Sequence, residues 1–181
     1  MDVSVIIPTL NEAAEIEGCI TSARCAGVAE VIVADGGSDD TTLSIASKLA
    51  DQAVSTAPGR AVQQNHGAQL AQGDILLFLH ADNRLTAECV NQIRAFRKQN
   101  ASTNGWICGG FRQRIQAEGR KFRWIERGNA MRIRRLGWVY GDQGIFVNRE
   151  WFRAVGGFPE WSIMEDVEIM RRLMRSQHPD S

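Results

Sequence analysis

The chain has 181 residues, 44% hydrophobic and 23% charged, with a formal net charge of zero. Such a length and composition suit one globular domain with a substantial core, and the charge balance excludes a whole-protein attraction to nucleic acid. No apolar run approaches the roughly 20 residues of a membrane span, and the start MDVSVIIPTLNE lacks the parts of a secretory signal. Cys19, Cys25, Cys89 and Cys108 show neither CxxC nor zinc spacing. They read as buried or partly buried thiols of a reducing cytoplasm.

The first predicted element is a strand, Val3 to Ile7, closed by Pro8. Its continuous apolar run suits a strand buried on both faces. The polar turn Thr9 to Asn11 leads into a helix over about 12–26, with Ile16, Cys19, Ile20 and Ala23 at helical spacing. A β-branched strand follows at 30–34, then the turn Asp35-Gly36-Gly37-Ser38-Asp39-Asp40. Ser38 or Asp39 is placed to cap a helix running to about Leu49. A short strand at 53–55 and a helix at about 60–71 come next, with Gly73 read as the stop of that helix. The strongest strand, Ile75 to Leu79, ends at His80-Ala81-Asp82, and a helix at about 86–99 completes the first half.

The second half reads differently. Strand-like segments at 107–115 and 144–147 flank a basic helix at about 120–135, where seven Arg or Lys residues oppose only Glu126. That helix reads either as a solvated face over an apolar seam or as a contact for anionic lipid headgroups or an acceptor phosphate. The loop Gly156-Gly157-Phe158-Pro159 precedes Glu165-Asp166 and a last helix to about Arg175.

The β-α-β-α order predicts an α/β fold: a doubly wound, mostly parallel sheet with helices on both faces. Ligands of such sheets bind beyond the carboxyl ends of the strands. The clusters 9–12, 35–40 and 80–83 all fall there. Asp35 suits the imide N–H of a uracil or a ribose hydroxyl, or else stabilises its own turn. Asp82, with His80 as a second ligand, suits Mg2+ or Mn2+ bridging a diphosphate, or else caps the next helix. Glu165-Asp166 gains from the helix dipole and can also offer one general base. Neither GxGxxG nor GxxxxGK[ST] occurs, which argues against dinucleotide-binding and P-loop functions.

The blocks VSVIIPTLNE, VIVADGGSDDTT, GDILLFLHAD and MEDVE, in this order, resemble family 2 inverting glycosyltransferases of GT-A fold. The closest resemblance is to a bacterial subgroup with HAD in place of DxD and YGDQGIFV before the ED pair. The resemblance implies nucleotide contacts from Pro8, Asn11, Glu12 and Asp35, with Arg60 and Gly67 beside the base. It implies Asp82 as the metal and diphosphate ligand, and Asp166 as the general base with Glu165 beside it. The implied activity moves a hexose-type sugar from a UDP-sugar to an acceptor hydroxyl with inversion, aided by Mg2+ or Mn2+. The expected organisation is one domain over 1–181, with a nucleotide-sugar half to about residue 100 and an acceptor half beyond it. Relatives usually continue past this point, so a shortened acceptor side is expected. The expected location is cytoplasmic, with peripheral contact to the inner membrane face through 120–135 and a lipid-linked or phosphate-bearing acceptor. Two rivals stand beside this reading. A nucleotidyltransferase would carry a Gly-rich, basic signature after the first strand, and TLNEAAEIE has none. A non-catalytic nucleotide-sugar-binding module or subunit would share the same first half.

Overall fold

The computed structural model describes residues 1–100, 107–111, 144–161 and 163–177. The elements in chain order are β1 (Val3–Thr9), α1 (Ile16–Cys25), β2 (Glu30–Asp35), α2 (Thr42–Leu49), β3 (Gln52–Ser55) and α3 (Arg60–Leu70). They continue with β4 (Ile75–Phe78), α4 (Ala87–Gln99), β5 (Cys108–Gly110), β6 (Ile145–Asn148), α5 (Arg149–Ala154) and α6 (Glu165–Gln177). The expected strand beyond Phe111 and the basic helix at 120–135 lie outside the described residues.

Six strands form one sheet in the order β3-β2-β1-β4-β6-β5. The first four are parallel, and β6 runs antiparallel to both β4 and β5. Strands from both halves of the chain therefore share one sheet. Alternation along the strands divides the core in two. Val3, Val5 and Ile7 face a layer with Ile16, Ile20, Val90 and Ile93 from α1 and α4. Ile6, Leu76 and Phe78 face the other layer, with Ala61 and Ala68 of α3, Trp151 and Phe152 of α5, and Ile169 and Leu173 of α6. The α/β sheet with helices on both faces is as the sequence predicts.

The strand order reverses beside β1. From β1 the chain moves outward to β2 and β3, and α3 then carries it back to β4 on the opposite side. The crevice between the carboxyl ends of β1 and β4 is thus the topological switch point, where open α/β sheets bind ligands. Pro8 marks this split. The β1–β4 pairing ends at Ile6 opposite Phe78, while β1 goes on beside β2 to Thr9 opposite Asp35. Leu79 N–H donates to the Ile6 carbonyl, so two residues on, the missing N–H of Pro8 faces the side where pairing has stopped.

Several boundaries differ from expectation. Helix α1 begins at Ile16, because Asn11 takes a left-handed φ of 56° and the Glu12 carbonyl closes a turn with the Glu15 and Ile16 N–H groups. Neither Ser38 nor Asp39 caps α2. Asp40 does the nearest work, accepting from Thr42 N–H at 2.8 Å. Gly73 is not the stop of α3, which ends at Leu70 with Ala71 already extended. A Cβ at Gly73 would collide with the Ser4 hydroxyl and approach the Asp2 carbonyl to 2.8 Å, so close packing explains this glycine. Helix α5 was not anticipated. The four cysteines are unpaired, and Cys25 is exposed rather than buried. No described helix is long and apolar enough to cross a membrane.

Candidate functional site

Three loops and two helix starts meet at the carboxyl edge of the sheet. The β1–α1 and β2–α2 loops are laced together first. Asn11 N–H donates to the Ser38 hydroxyl at 2.8 Å, and its Oδ1 accepts from Asp39 N–H at 3.0 Å. Glu12 N–H donates to Thr42 Oγ1 at 2.8 Å, and Ala13 N–H to Asp40 at 3.2 Å. Those hydrogen bonds satisfy backbone that the left-handed turn at Asn11 removes from the helix ladder.

Asp35 sits at the centre of this lacing and is 1% exposed. Its Oδ1 accepts from Thr9 Oγ1 at 3.1 Å and from Ser38 Oγ at 2.5 Å. Its Oδ2 accepts from the N–H groups of Gly37 at 3.0 Å and Ser38 at 2.8 Å. A carboxylate offers about four acceptor sites, so this one is fully engaged by its own loop and by β1. Loop stabilisation, one of the two roles open to it from sequence, is the one this geometry displays.

Asp82 is placed differently. It is exposed, and no hydrogen bond among the described residues holds its carboxylate. Capping of the next helix does not account for it, since the N-cap of α4 is Thr86. Its field reaches Glu12 across the crevice. The Glu12 carboxyl is raised above its ordinary range, first by burial and then by the nearby Asp82, Glu15 and Asp40 carboxylates. Burial likewise pushes the Cys19 thiol up to about 12, with Asp82 and Glu15 adding to the effect and Arg84 opposing it. The loops after β1 and β4 therefore face each other at the switch point.

His80 is half-buried beside Asp82, and its carbonyl accepts the Cys19 thiol at 3.4 Å and Asn83 N–H at 3.0 Å. Among the described residues no group of three or more His, Cys, Asp or Glu side chains is placed to hold a metal ion. The donor set of Asp82 with His80 nonetheless fits a divalent cation that takes most of its ligands from phosphate and water. It does not fit an all-protein cage.

Helix α3 brings the second half to this edge. Following β3, it starts at the carboxyl edge of the sheet, with Arg60 as its first residue. Arg60 Nη1 lies 3.5 Å from Glu165 Oε1, where the Glu165 side chain is 6% exposed. The first turn of α6 is thus tied beside the loops of the first half. Of the acidic pair, Glu165 turns inward to Arg60. Asp166 is partly exposed, and its Oδ1 accepts from Val167 N–H at 2.7 Å. Adjacent helix residues point about 100° apart, which is why only one of them can turn outward. Gly67 lies about two turns further along α3, where a Cβ would stand 2.5 Å from Ile6 Cγ2. Its place is the close approach of helix to sheet.

Two amides on α3 belong to the site and were not singled out from sequence. Gln63, 5% exposed, donates to the carbonyls of Thr9 at 2.7 Å and Ala34 at 2.9 Å, closing the ends of β1 and β2. Asn65 bonds both main-chain atoms of Phe158, donating to its carbonyl and accepting from its N–H at 2.9 Å each. The available signal was the run Gln63-Gln64-Asn65 in a helix that must pack on a sheet, because buried amides require partners.

A family model described as glycosyl transferase family 2 matches residues 4–156. The PGL/p-HBAD biosynthesis glycosyltransferase of Mycobacterium tuberculosis is 33% identical over 167 residues, covering 86% of this chain and 62% of its own length. This chain thus spans less than two thirds of that relative. Among solved structures, TarS of S. aureus superposes with a TM-score of 0.76 at 18% identity, covering 96% of this chain and 55% of the other. The mannosyltransferase PcManGT from Pyrobaculum calidifontis, in complex with GDP-Man and Mn2+, superposes with a TM-score of 0.73 at 23% identity, covering 97% and 52%. At those identities the likeness establishes the fold, GT-A.

Proposed function

Because this chain belongs to glycosyl transferase family 2, we propose that it transfers a hexose-type sugar from a UDP-sugar to an acceptor hydroxyl, with inversion. The observation that carries this reading is the Arg60–Glu165 ion pair, which ties the helix bearing Asp166 beside the switch-point crevice. A nucleotide-binding scaffold alone has no need of a carboxylate on that side. The relative from M. tuberculosis supports the activity class by its name, and TarS has been crystallised with UDP-GlcNAc.

In this reading the nucleotide lies over the ends of β1 and β2, against Pro8, Asn11 and Glu12, with Arg60 beside the base. A base imide N–H reaches Asp35 by replacing a donor on Oδ1. Both present donors there are hydroxyls, from Thr9 and Ser38, which rotate, whereas Oδ2 is held by main-chain N–H groups. Asp82, with His80 beside it, would hold Mg2+ or Mn2+, which would neutralise charge at the diphosphate. Asp166 accepts the proton of the acceptor hydroxyl as that oxygen bonds to the anomeric carbon. The bond from that carbon to the diphosphate breaks from the opposite face, and the nucleoside diphosphate leaves with the electron pair. Glu165 positions this base through Arg60.

The test is a thermal-shift screen of UDP, GDP and their sugars with and without Mn2+, followed by UDP-release kinetics. A ligand that binds only the folded chain raises its melting temperature by mass action. UDP-sugars with Mn2+ are expected to give the largest rise, and Asp166→Asn to lower turnover by about 10²–10⁴-fold with donor affinity unchanged. A variant that turns over like the parent removes the base assignment. Metal-independent affinity and turnover remove the cation.

A further inference from the structure

We infer that Asn65 is a positioning residue for transfer, setting Asp166 against the donor by clamping the main chain of Phe158. The inference rests on the reading of Asp166 as general base. The Asn65 carboxamide pairs with the N–H and C=O of a single residue, as a neighbouring strand would, with both bonds at 2.9 Å. The clamp also dictates its neighbour. Gly157 has φ +70°, and a Cβ there would stand 2.7 Å from Asn65 Oδ1, so the turn and the close approach both require glycine.

The ring of Phe158 is anchored separately. It is 2% exposed and meets Phe78 of β4 edge-on, with centroids 4.8 Å apart. Burial of the ring holds the loop down, and the amide fixes the direction in which the chain leaves it. From Phe158 the chain passes a tight turn, Trp161 N–H to Pro159 carbonyl at 2.7 Å, and enters α6 through Met164 in a left-handed conformation, φ 68°. A non-glycine residue keeps such a backbone only where its surroundings over-determine it. Here both ends of the segment are tied to one helix. Asn65 holds Phe158, and Arg60, five residues earlier on α3, holds Glu165 next to Asp166. Through Gln63 that same helix grips the ends of β1 and β2. Helix α3 is therefore the strut between donor loops and base, and from its middle Asn65 holds the Phe158 end of the segment that leads to the base.

The test compares the full chain with Asn65→Ala and Asn65→Asp. UDP release from UDP-GlcNAc with Mn2+, affinity for UDP, and hydrogen exchange at the Val167 and Glu168 amides are measured. Asn65→Ala is expected to lower turnover between about tenfold and a hundredfold, to keep the Kd for UDP within about twofold, and to speed exchange at the start of α6. In an Asp166→Asn background the same change should cost nothing further, since the base it aligns is gone. Parental turnover in Asn65→Ala, or a loss that multiplies independently with Asp166→Asn, overturns the inference. Should Asn65→Ala fail to fold, Asn65→Asp keeps the acceptor for Phe158 N–H and replaces the donor to its carbonyl with a carboxylate oxygen that repels it. The same split between turnover and affinity is then required of it. If Asp166→Asn turns over like the parent, the base assignment fails by itself, and if the parent releases no UDP, the proposed transfer fails. Exchange at Val167 and Glu168 then decides the clamp, and parental protection in the Asn65 variant overturns it.

Discussion

Asp35 ends β2 and Asp82 follows β4, the two parallel strands that flank β1, and both reach the same edge of the sheet, yet they do different work. Asp35 is 1% exposed and accepts four hydrogen bonds from Thr9, Gly37 and Ser38. Asp82 is exposed and makes itself felt through its field at Glu12 and Cys19. A carboxylate with every acceptor site filled organises the walls of a site, and takes a ligand donor only by giving up one of the hydroxyls on Oδ1. One with open sites at the switch point is available to a ligand. The sequence position of an acid at a strand end does not separate these roles; the supply of donors around it does.

The largest effect expected from this contrast is on stability. Asp35→Ala strands two hydroxyl and two N–H donors in a buried turn. It should destabilise the chain by about 3 kcal/mol, lowering the melting temperature by roughly 6–12 °C for a chain of this size. A melt within about 2 °C of the parent would mean that the Asp35 network is ornamental and that the contrast with Asp82 is empty.

A smaller effect belongs to Asp40, which supports the same lacing from the rim. Hydrogen bonds from the Thr42 side chain and N–H, and from Ala13 N–H, hold its carboxyl below the ordinary aspartate value of 3.8. Since the folded state favours the ionised form, this contribution is present above 3.8 and is lost as pH falls below it. The melting difference between the parent and Asp40→Asn should therefore be largest at neutral pH and shrink on acidification through that range. A difference independent of pH would place the Asp40 contribution outside its charge.

Much of this was legible beforehand. The apolar runs at Val3–Ile7 and Ile75–Leu79 and the order of the first eight elements were enough to give the sheet and its binding edge. Local pattern reports burial and period well. It reports poorly on partners distant in sequence. Whether Asp35 would be saturated depended on Thr9, 26 residues away. The inward turn of Glu165 depended on Arg60, and the meaning of Asn65 on Phe158, 93 residues away. Helix α5 was missed because it is only six residues long, between β6 and two glycines, too short to show a period. Gly73 was misread for a related reason: a glycine past a helix resembles a stop, and the backbone it accommodates comes from β1.

The most direct test of the account is a titration of UDP with Mn2+ into the parent and into Asp82→Ala, followed by melting temperature. Asp82→Ala should melt within about 2 °C of the parent in the absence of ligand, as an exposed substitution does. The rise given by UDP with Mn2+ should be largely lost in the variant. An equal rise in both would contradict the placement of the diphosphate at the end of β4.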